Sequence, residues 1–164
     1  MIADHPSVVR VTEFLKQHAH PHMPVILDDS ARTAEEAANS LGCDVAQIAK
    51  SILFHNLEND SAVLVIISGD QRVAERKVAD LLGISRKKLG KASADFVREK
   101  TGFVIGGVSP IAHTGECTVF LDESLRRFES IWAAAGHPKS VFEASTEALQ
   151  SFTEAPWVAV SSEA

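Results

Sequence analysis

Lys50 stands in the segment Gln47-Ile48-Ala49-Lys50-Ser51-Ile52-Leu53-Phe54, which otherwise reads as a buried strand. A strand puts alternate side chains on one face, so Ile48, Lys50, Ile52 and Phe54 share a side and an ammonium sits among three large apolar groups. Burying a lone cation is costly unless an anion or a ring of acceptors compensates it. The outcomes open to it are a lowered pKa, a buried partner or an anionic ligand. A structural alternative also fits: a lysine near a sheet edge, its butyl stem packed and its head in water.

A second chemical signal is Gly106-Gly107-Val108-Ser109-Pro110. Two glycines strip side-chain bulk where an apolar segment ends and proline sets the exit, so a small group can approach bare backbone amides. Such amides make an oxyanion or carbonyl pocket without side chains. An ordinary glycine turn would look the same. Joined to a cation such as Lys50, the loop supplies the minimum needed to hold an ester beside a phosphate.

The remaining candidates are weaker. Arg86-Lys87-Lys88 with Lys91 forms a compact basic run in a chain of net charge −6, suited to a phosphate backbone or, equally, to a solvated helix end. His18, His20 and His22 alternate, but Pro21 interrupts them, and a solvated linker is the better reading than a metal site. His113 and His137 read as loop histidines. There is no Gly-x-Ser-x-Gly elbow, P-loop, His-Glu-x-x-His or dinucleotide fingerprint. Cys43 and Cys117 have no metal or redox spacing and fit free thiols in a reducing compartment. Neither metal nor cofactor is expected.

The elements that must position these groups follow from period and punctuation. At 164 residues the chain fits one domain, 1–164, with 1–24 an N-terminal helix and linker. No apolar run approaches a membrane span and no export signal is evident, so a cytoplasmic protein is expected. Ser7 is the expected cap of the first helix, with Val8, Val11, Phe14 and Leu15 on its buried side. Val25-Ile26-Leu27 is a short strand. Thr33 to Glu36 is a capping box opening a helix with Ala34, Ala37, Ala38 and Leu41 on one face and Gly42 as its stop. The Lys50 strand should pair as a hairpin with Ala62–Ile67, which is apolar on both faces and so central. A helix over about 74–82 should bury Val78, Leu81 and Leu82, and another should run from Ser93 to Gly102. Phe103-Val104-Ile105 and Cys117–Leu121 read as strands, with Asp122 capping a short helix. The segment 130–135 fits a helix or a hairpin with 140–143, the hairpin being preferred. Ser145 caps a helix, and Trp157–Val160 is a last strand.

In this order, Thr33-Ala34-Glu35-Glu36-Ala37-Ala38, the Lys50 strand, Gly69-Asp70-x-Arg72-Val73, Thr101 to Pro110, Phe120-Leu121-Asp122 and Ala135-Gly136 resemble the YbaK/prolyl-tRNA synthetase-associated editing domain family over about residues 25–160. The resemblance implies a mixed α/β fold, a curved mixed β-sheet flanked by helices, in which 130–135 is strand. It implies a free-standing aminoacyl-tRNA deacylase that hydrolyses the ester of a wrong small amino acid (Ala, Ser, Thr or Cys) on tRNA, tRNA for proline being the expected one. The family's lysine falls on Lys50, and its Gly-x-x-x-Pro loop on Gly106, Gly107, Val108, Ser109 and Pro110. Lys50 would then hold the 3′-terminal adenosine region, the loop amides would polarise the ester carbonyl, and water would attack without a protein nucleophile, helped by the vicinal ribose hydroxyl.

Where the cysteine-specific branch has a serine, this chain has Ala133-Ala134-Ala135-Gly136, which puts cysteine specificity in doubt and leaves Gly136, His137 and Ser109 as candidates to shape the amino-acid pocket. Arg86, Lys87, Lys88 and Lys91 are the candidate tRNA phosphate contacts. The implied partners are the acceptor end of aminoacyl-tRNA and a transient prolyl-tRNA synthetase contact, with neither membrane nor DNA. The alternative is a non-catalytic module of the same fold that binds a tRNA end or nucleotide.

Overall fold

A computed structural model describes residues 1–29, 31 and 33–162. Its elements in chain order are α1 (Pro6–Gln17), β1 (Val25–Ile26), α2 (Ala34–Leu41), β2 (Ile48–Asn56), β3 (Ser61–Ser68), α3 (Glu75–Leu82), β4 (Leu89–Lys91), α4 (Ala94–Thr101), β5 (Cys117–Asp122), β6 (Ser130–His137), β7 (Ser140–Ser145), α5 (Thr146–Thr153) and β8 (Trp157–Val158). The strands form one mixed sheet in the order β1-β7-β6-β2-β3-β5-β8, with β4 also beside β2. Pairs β2/β6, β3/β5 and β5/β8 are parallel and the others antiparallel.

The β2–β3 hairpin sets Lys50 opposite Ile67. β3 is central, and its alternation explains its unbroken apolar run. Leu64 and Ile66 enter a core with Val11 and Leu15 of α1, Val97 of α4 and Phe103. Val63, Val65 and Ile67 enter the opposite core with Val78 and Ala79 of α3. With both faces covered, each of these side chains contributes roughly 1.5–3 kcal/mol of burial. A third, smaller cluster packs Ala37 of α2 with Leu27 and Val141, and Ile48 and Trp132 lie against it.

Capping matches the sequence at most ends. Thr33 accepts from the Glu36 amide, Ser93 from Phe96, Ser145 from Ala148 and Asp122 from Ser124. Gly42, Gly83 and Gly102 stop their helices in the left-handed conformation. Five expectations are corrected. His5, not Ser7, caps α1: the proline after it holds His5 extended, and its Nδ1 accepts from the Ser7 amide at 3.1 Å. Leu81 is half exposed, because α3 turns Val78 and Ala79 inward instead. The basic run does not end a helix; Arg86–Lys88 is a single 3₁₀ turn leading into β4. Residues 18–22 are not merely solvated: His20 Nε2 donates to the Glu143 carbonyl at 2.7 Å and its ring packs on Phe142 and Phe152. Finally, 103–105 is no strand. After Phe103 is buried, the chain closes a turn through the Gly107 amide to the Val104 carbonyl, 2.9 Å, with Gly106 at φ +88°, and Val104 and Ile105 project outward.

Candidate functional site

The edge of β2 that faces away from β3 is shared by two strands. β6 pairs with Ile48 and Ala49, and β4 with Phe54 to Asn56. Between them, residues 50–53 have no strand partner on that side among the described residues. A strand directs half of its N–H and C=O groups to each edge, so backbone donors and acceptors are presented where β6 and β4 part. A cleft of about 400 Å³ opens here, lined by Lys50 and Ser51 of β2, Ile105, Gly106 and Val108 of the loop, Trp132 to Ala134 of β6, Pro138, and Thr33, Ala34 and Ala37 around α2. Small side chains on α2 and β6 leave that volume free.

Lys50 is half-buried at the mouth of the cleft, and its Nζ donates to the Gln71 carbonyl at 2.6 Å. Burial lowers its pKa, Asp70 acts in the opposite direction, and Arg72 adds to the lowering. One hydrogen bond leaves further ammonium donors for a ligand.

The loop divides its labour. Gly106 and Val108 line the cleft, and their amides have no hydrogen-bond partner among the described residues. The Gly107 amide is taken by Val104, and its Cα lies so close to the hairpin that an added Cβ would stand 2.9 Å from His137 Cα. Ser109 is fully buried outside the cleft, its carbonyl accepting from His113 Nε2 at 2.7 Å. Pro110 lines a separate groove with Ile111 and His113. Arg10 of α1 braces the following turn, donating to the Ala112 carbonyl at 2.8 Å and lying over the Phe103 ring. Burial lowers the pKa of His113, which favours its neutral form.

Gly136 and His137 also lie outside the cleft. A Cβ on Gly136 would stand 2.5 Å from the Ser7 carbonyl oxygen, so this glycine lets β6 approach α1. His137 faces His5, ring centroids 5.9 Å apart, and accepts from the Lys139 amide. Thus Lys50, Gly106 and Val108 come together, while Gly107, Ser109, Pro110, Gly136 and His137 lie outside the cleft lining. Of the basic run, Arg86 is ion-paired with Glu75, Lys87 and Lys88 are exposed, and Lys91, paired with Phe54, lines with Lys50 a second concavity. Sequence reasoning did not single out Thr33, Trp132, Ala134 or Pro138 as cleft residues. The small residues Ala34 and Ala37 on one face of α2 are the signal for it in the sequence. No group of three or more metal-ligating side chains occurs among the described residues, and none of their helices is long and apolar enough to cross a membrane.

Comparison with known proteins gives a consistent result. The family model described as the aminoacyl-tRNA editing domain matches residues 23–152. YwhH of Bacillus subtilis is 33% identical over 126 residues, 77% of this chain and 78% of that protein. EbsC of Enterococcus faecalis, described as a candidate Cys-tRNA(Pro)/Cys-tRNA(Cys) deacylase, is 28% identical over 74% of this chain and 72% of its own. A crystal structure of a candidate trans-editing enzyme for prolyl-tRNA synthetase superposes with a TM-score of 0.88 at 36% identity, covering 96% of this chain and 98% of that one. The chain also matches 18% of the length of the proline–tRNA ligase of a Thermoanaerobacter species, at 28% identity over 65% of its own.

Proposed function

The chain belongs to the aminoacyl-tRNA editing domain family, and from that premise we propose that it acts in trans, as a single cytoplasmic domain, to hydrolyse the ester joining a wrong small amino acid to tRNA, tRNA for proline first among them. The observation that carries this reading is the meeting of Lys50 with the Gly106 and Val108 amides in one cleft at the gap in the β2 edge. An ester carbonyl placed against those amides gains hydrogen bonds as its oxygen becomes an oxyanion, and Lys50 holds the neighbouring ribose or phosphate oxygen. Water adds to the carbonyl carbon; collapse of the tetrahedral intermediate breaks the bond to the ribose oxygen, which leaves with a proton as a hydroxyl. No protein nucleophile is required, and the vicinal ribose hydroxyl is positioned to assist. The alanine-rich wall, Ala34, Ala37, Ala133 and Ala134, suits a small side chain. Arg86, Lys87, Lys88 and Lys91 remain candidates for phosphate contacts, with Arg86 partly engaged by Glu75.

The test is deacylation of proline tRNA charged separately with alanine, cysteine, serine, threonine and proline, by the wild type and Lys50→Ala. Loss of one wrong amino acid, sparing proline and abolished in the variant, is the expected result. Binding of tRNA without turnover of any ester would instead make the chain a non-catalytic module of the same fold. Full activity on a 2′-deoxy terminal nucleotide would remove the substrate-assisted step.

A further inference from the structure

The small cleft is not the only concave surface that Lys50 reaches. A second concavity of about 600 Å³ lies on the α3 side of the sheet, floored by Ile52 and Phe54 and carrying Arg72 and Lys91 as well as Lys50. Lys50 and Ile52 line both, so the two adjoin at those residues. The second differs in character. Its carboxylate, Glu75, is ion-paired with Arg86, and Asp70, the acid that raises the Lys50 pKa, is held by Arg127 through two hydrogen bonds of 2.8 and 3.1 Å. Both nearby acids are therefore engaged by other arginines. Arg72 and Lys91 are exposed, and neither has a carboxylate partner among the described residues. On a chain of net charge −6, three cations around one hollow whose single lining carboxylate, Glu75, is taken by Arg86 are a local reversal of the overall field.

We propose that this concavity is a phosphodiester-binding site in which Arg72 and Lys91 hold the two phosphates that precede the terminal nucleotide of a single-stranded RNA 3′ end. The assignment rests on the reading of the neighbouring cleft as the ester site, and it gives the substrate a direction. The aminoacyl group enters between α2 and the glycine loop, the terminal ribose lies at Lys50, and the chain leaves over Arg72 and Lys91. An apolar floor with a cationic rim suits a sugar–phosphate strand, whose bases and riboses seek apolar contact while its phosphates seek charge. Arg72 brings a fixed fork of donors that matches phosphate oxygens; Lys91, on the short strand β4, brings a point charge. The basic run singled out in the sequence is thereby divided: Lys91 belongs to the site, Arg86 shapes it by occupying Glu75, and Lys87 and Lys88 do not line it.

The test uses an uncharged, labelled RNA oligonucleotide ending in 3′-CCA, bound to the full chain across a range of salt concentrations. Each phosphate contact on a single strand contributes about −0.7 to the slope of log affinity against log salt, so Arg72→Gln/Lys91→Gln should make that slope shallower by about 1.4. A control pair, Arg76→Gln/Arg98→Gln, removes the same charge from exposed positions outside both hollows and should leave the slope unchanged. Thermal melting of each variant establishes that it is folded. An unchanged slope in the first pair, an equal change in the control, or no RNA binding by the wild type overturns the proposal. Because the RNA carries no ester, this result is independent of turnover, whereas the deacylase reading stands or falls on the charged-tRNA panel.

Discussion

Gly107→Ala probes whether the loop must lie tight against the β6–β7 hairpin for the cleft to work. An added Cβ would stand 2.9 Å from His137 Cα and 3.0 Å from its backbone carbon and nitrogen. Carbon atoms prefer separations of about 3.5–4.0 Å, so the loop must retreat by roughly 0.5–1 Å. Backbone atoms on both sides cannot swing away as a flexible side chain would. Overpacking of this kind costs about 1–3 kcal/mol, which lowers Tm by about 2–12 °C in a chain of this length. The same retreat displaces the Gly106 and Val108 amides from the ester carbonyl, and a misplacement near 1 Å lowers turnover by about 10²-fold. Gly106→Ala separates space from conformation. Its Cβ would meet Pro138 Cγ at 3.4 Å, an ordinary contact, and the penalty comes from φ +88°, about 1–2 kcal/mol. The assays are kcat/KM for deacylation and thermal melting of both variants. Wild-type turnover and Tm in Gly107→Ala would refute the argument that close approach to the hairpin sets the amide positions.

Lys50→Met keeps the stem's packing and removes the cation. Turnover should fall at least 10²-fold while the fold is retained, and near-normal kcat would remove Lys50 from the chemistry. His113 has a folded pKa below its ordinary 6.5 because burial disfavours its charged form, so its contribution to stability is present above pH 6.5 and is lost as pH falls through the lowered value. Tm measured from pH 7 to pH 5 should therefore decline, and less steeply in His113→Gln; identical slopes would show that the buried ring does not titrate with unfolding. Cys117 is pushed up to about 11 by burial, from an ordinary 9.0, which leaves about 100-fold less thiolate at pH 8. Alkylation followed by mass spectrometry should find it correspondingly slow in the folded protein and fast in denaturant, and equal rates would contradict the burial.

Several features were legible from short stretches of sequence because their causes are local. Thr33, Ser93, Ser145 and Asp122 cap the turns that they precede, and Gly42, Gly83 and Gly102 end helices, since each effect acts within a few residues. The unbroken run 62–67 gave the central strand because only a strand covered on both faces lacks polar positions. The ordered motifs from Thr33 to Gly136 gave the family for a different reason: they follow one another in a pattern that residues 23–152 share with the family.

Tertiary structure decided what the local rules could not reach. Period and β-propensity favour a strand over 103–105, but Val104 and Ile105 have no strand partner among the described residues, and the turn at Gly106 prevails. Glycine spacing marked the loop without dividing its work; that Gly106 and Val108 line the cleft while Gly107 packs against the hairpin depends on the approach of His137, far along the chain. Lys50 was identified by its sequence as a cation needing compensation. Its partner, the Gln71 carbonyl, and the engagement of Asp70 by Arg127 and Glu75 by Arg86 come from segments apart in the chain, and its place between two hollows depends on β6 and β4 pairing with opposite ends of one strand edge and leaving its middle open. Composition and period specify which residues are buried and which segments are regular. The gap in the β2 edge comes from where two distant strands stop, and no local pattern records that.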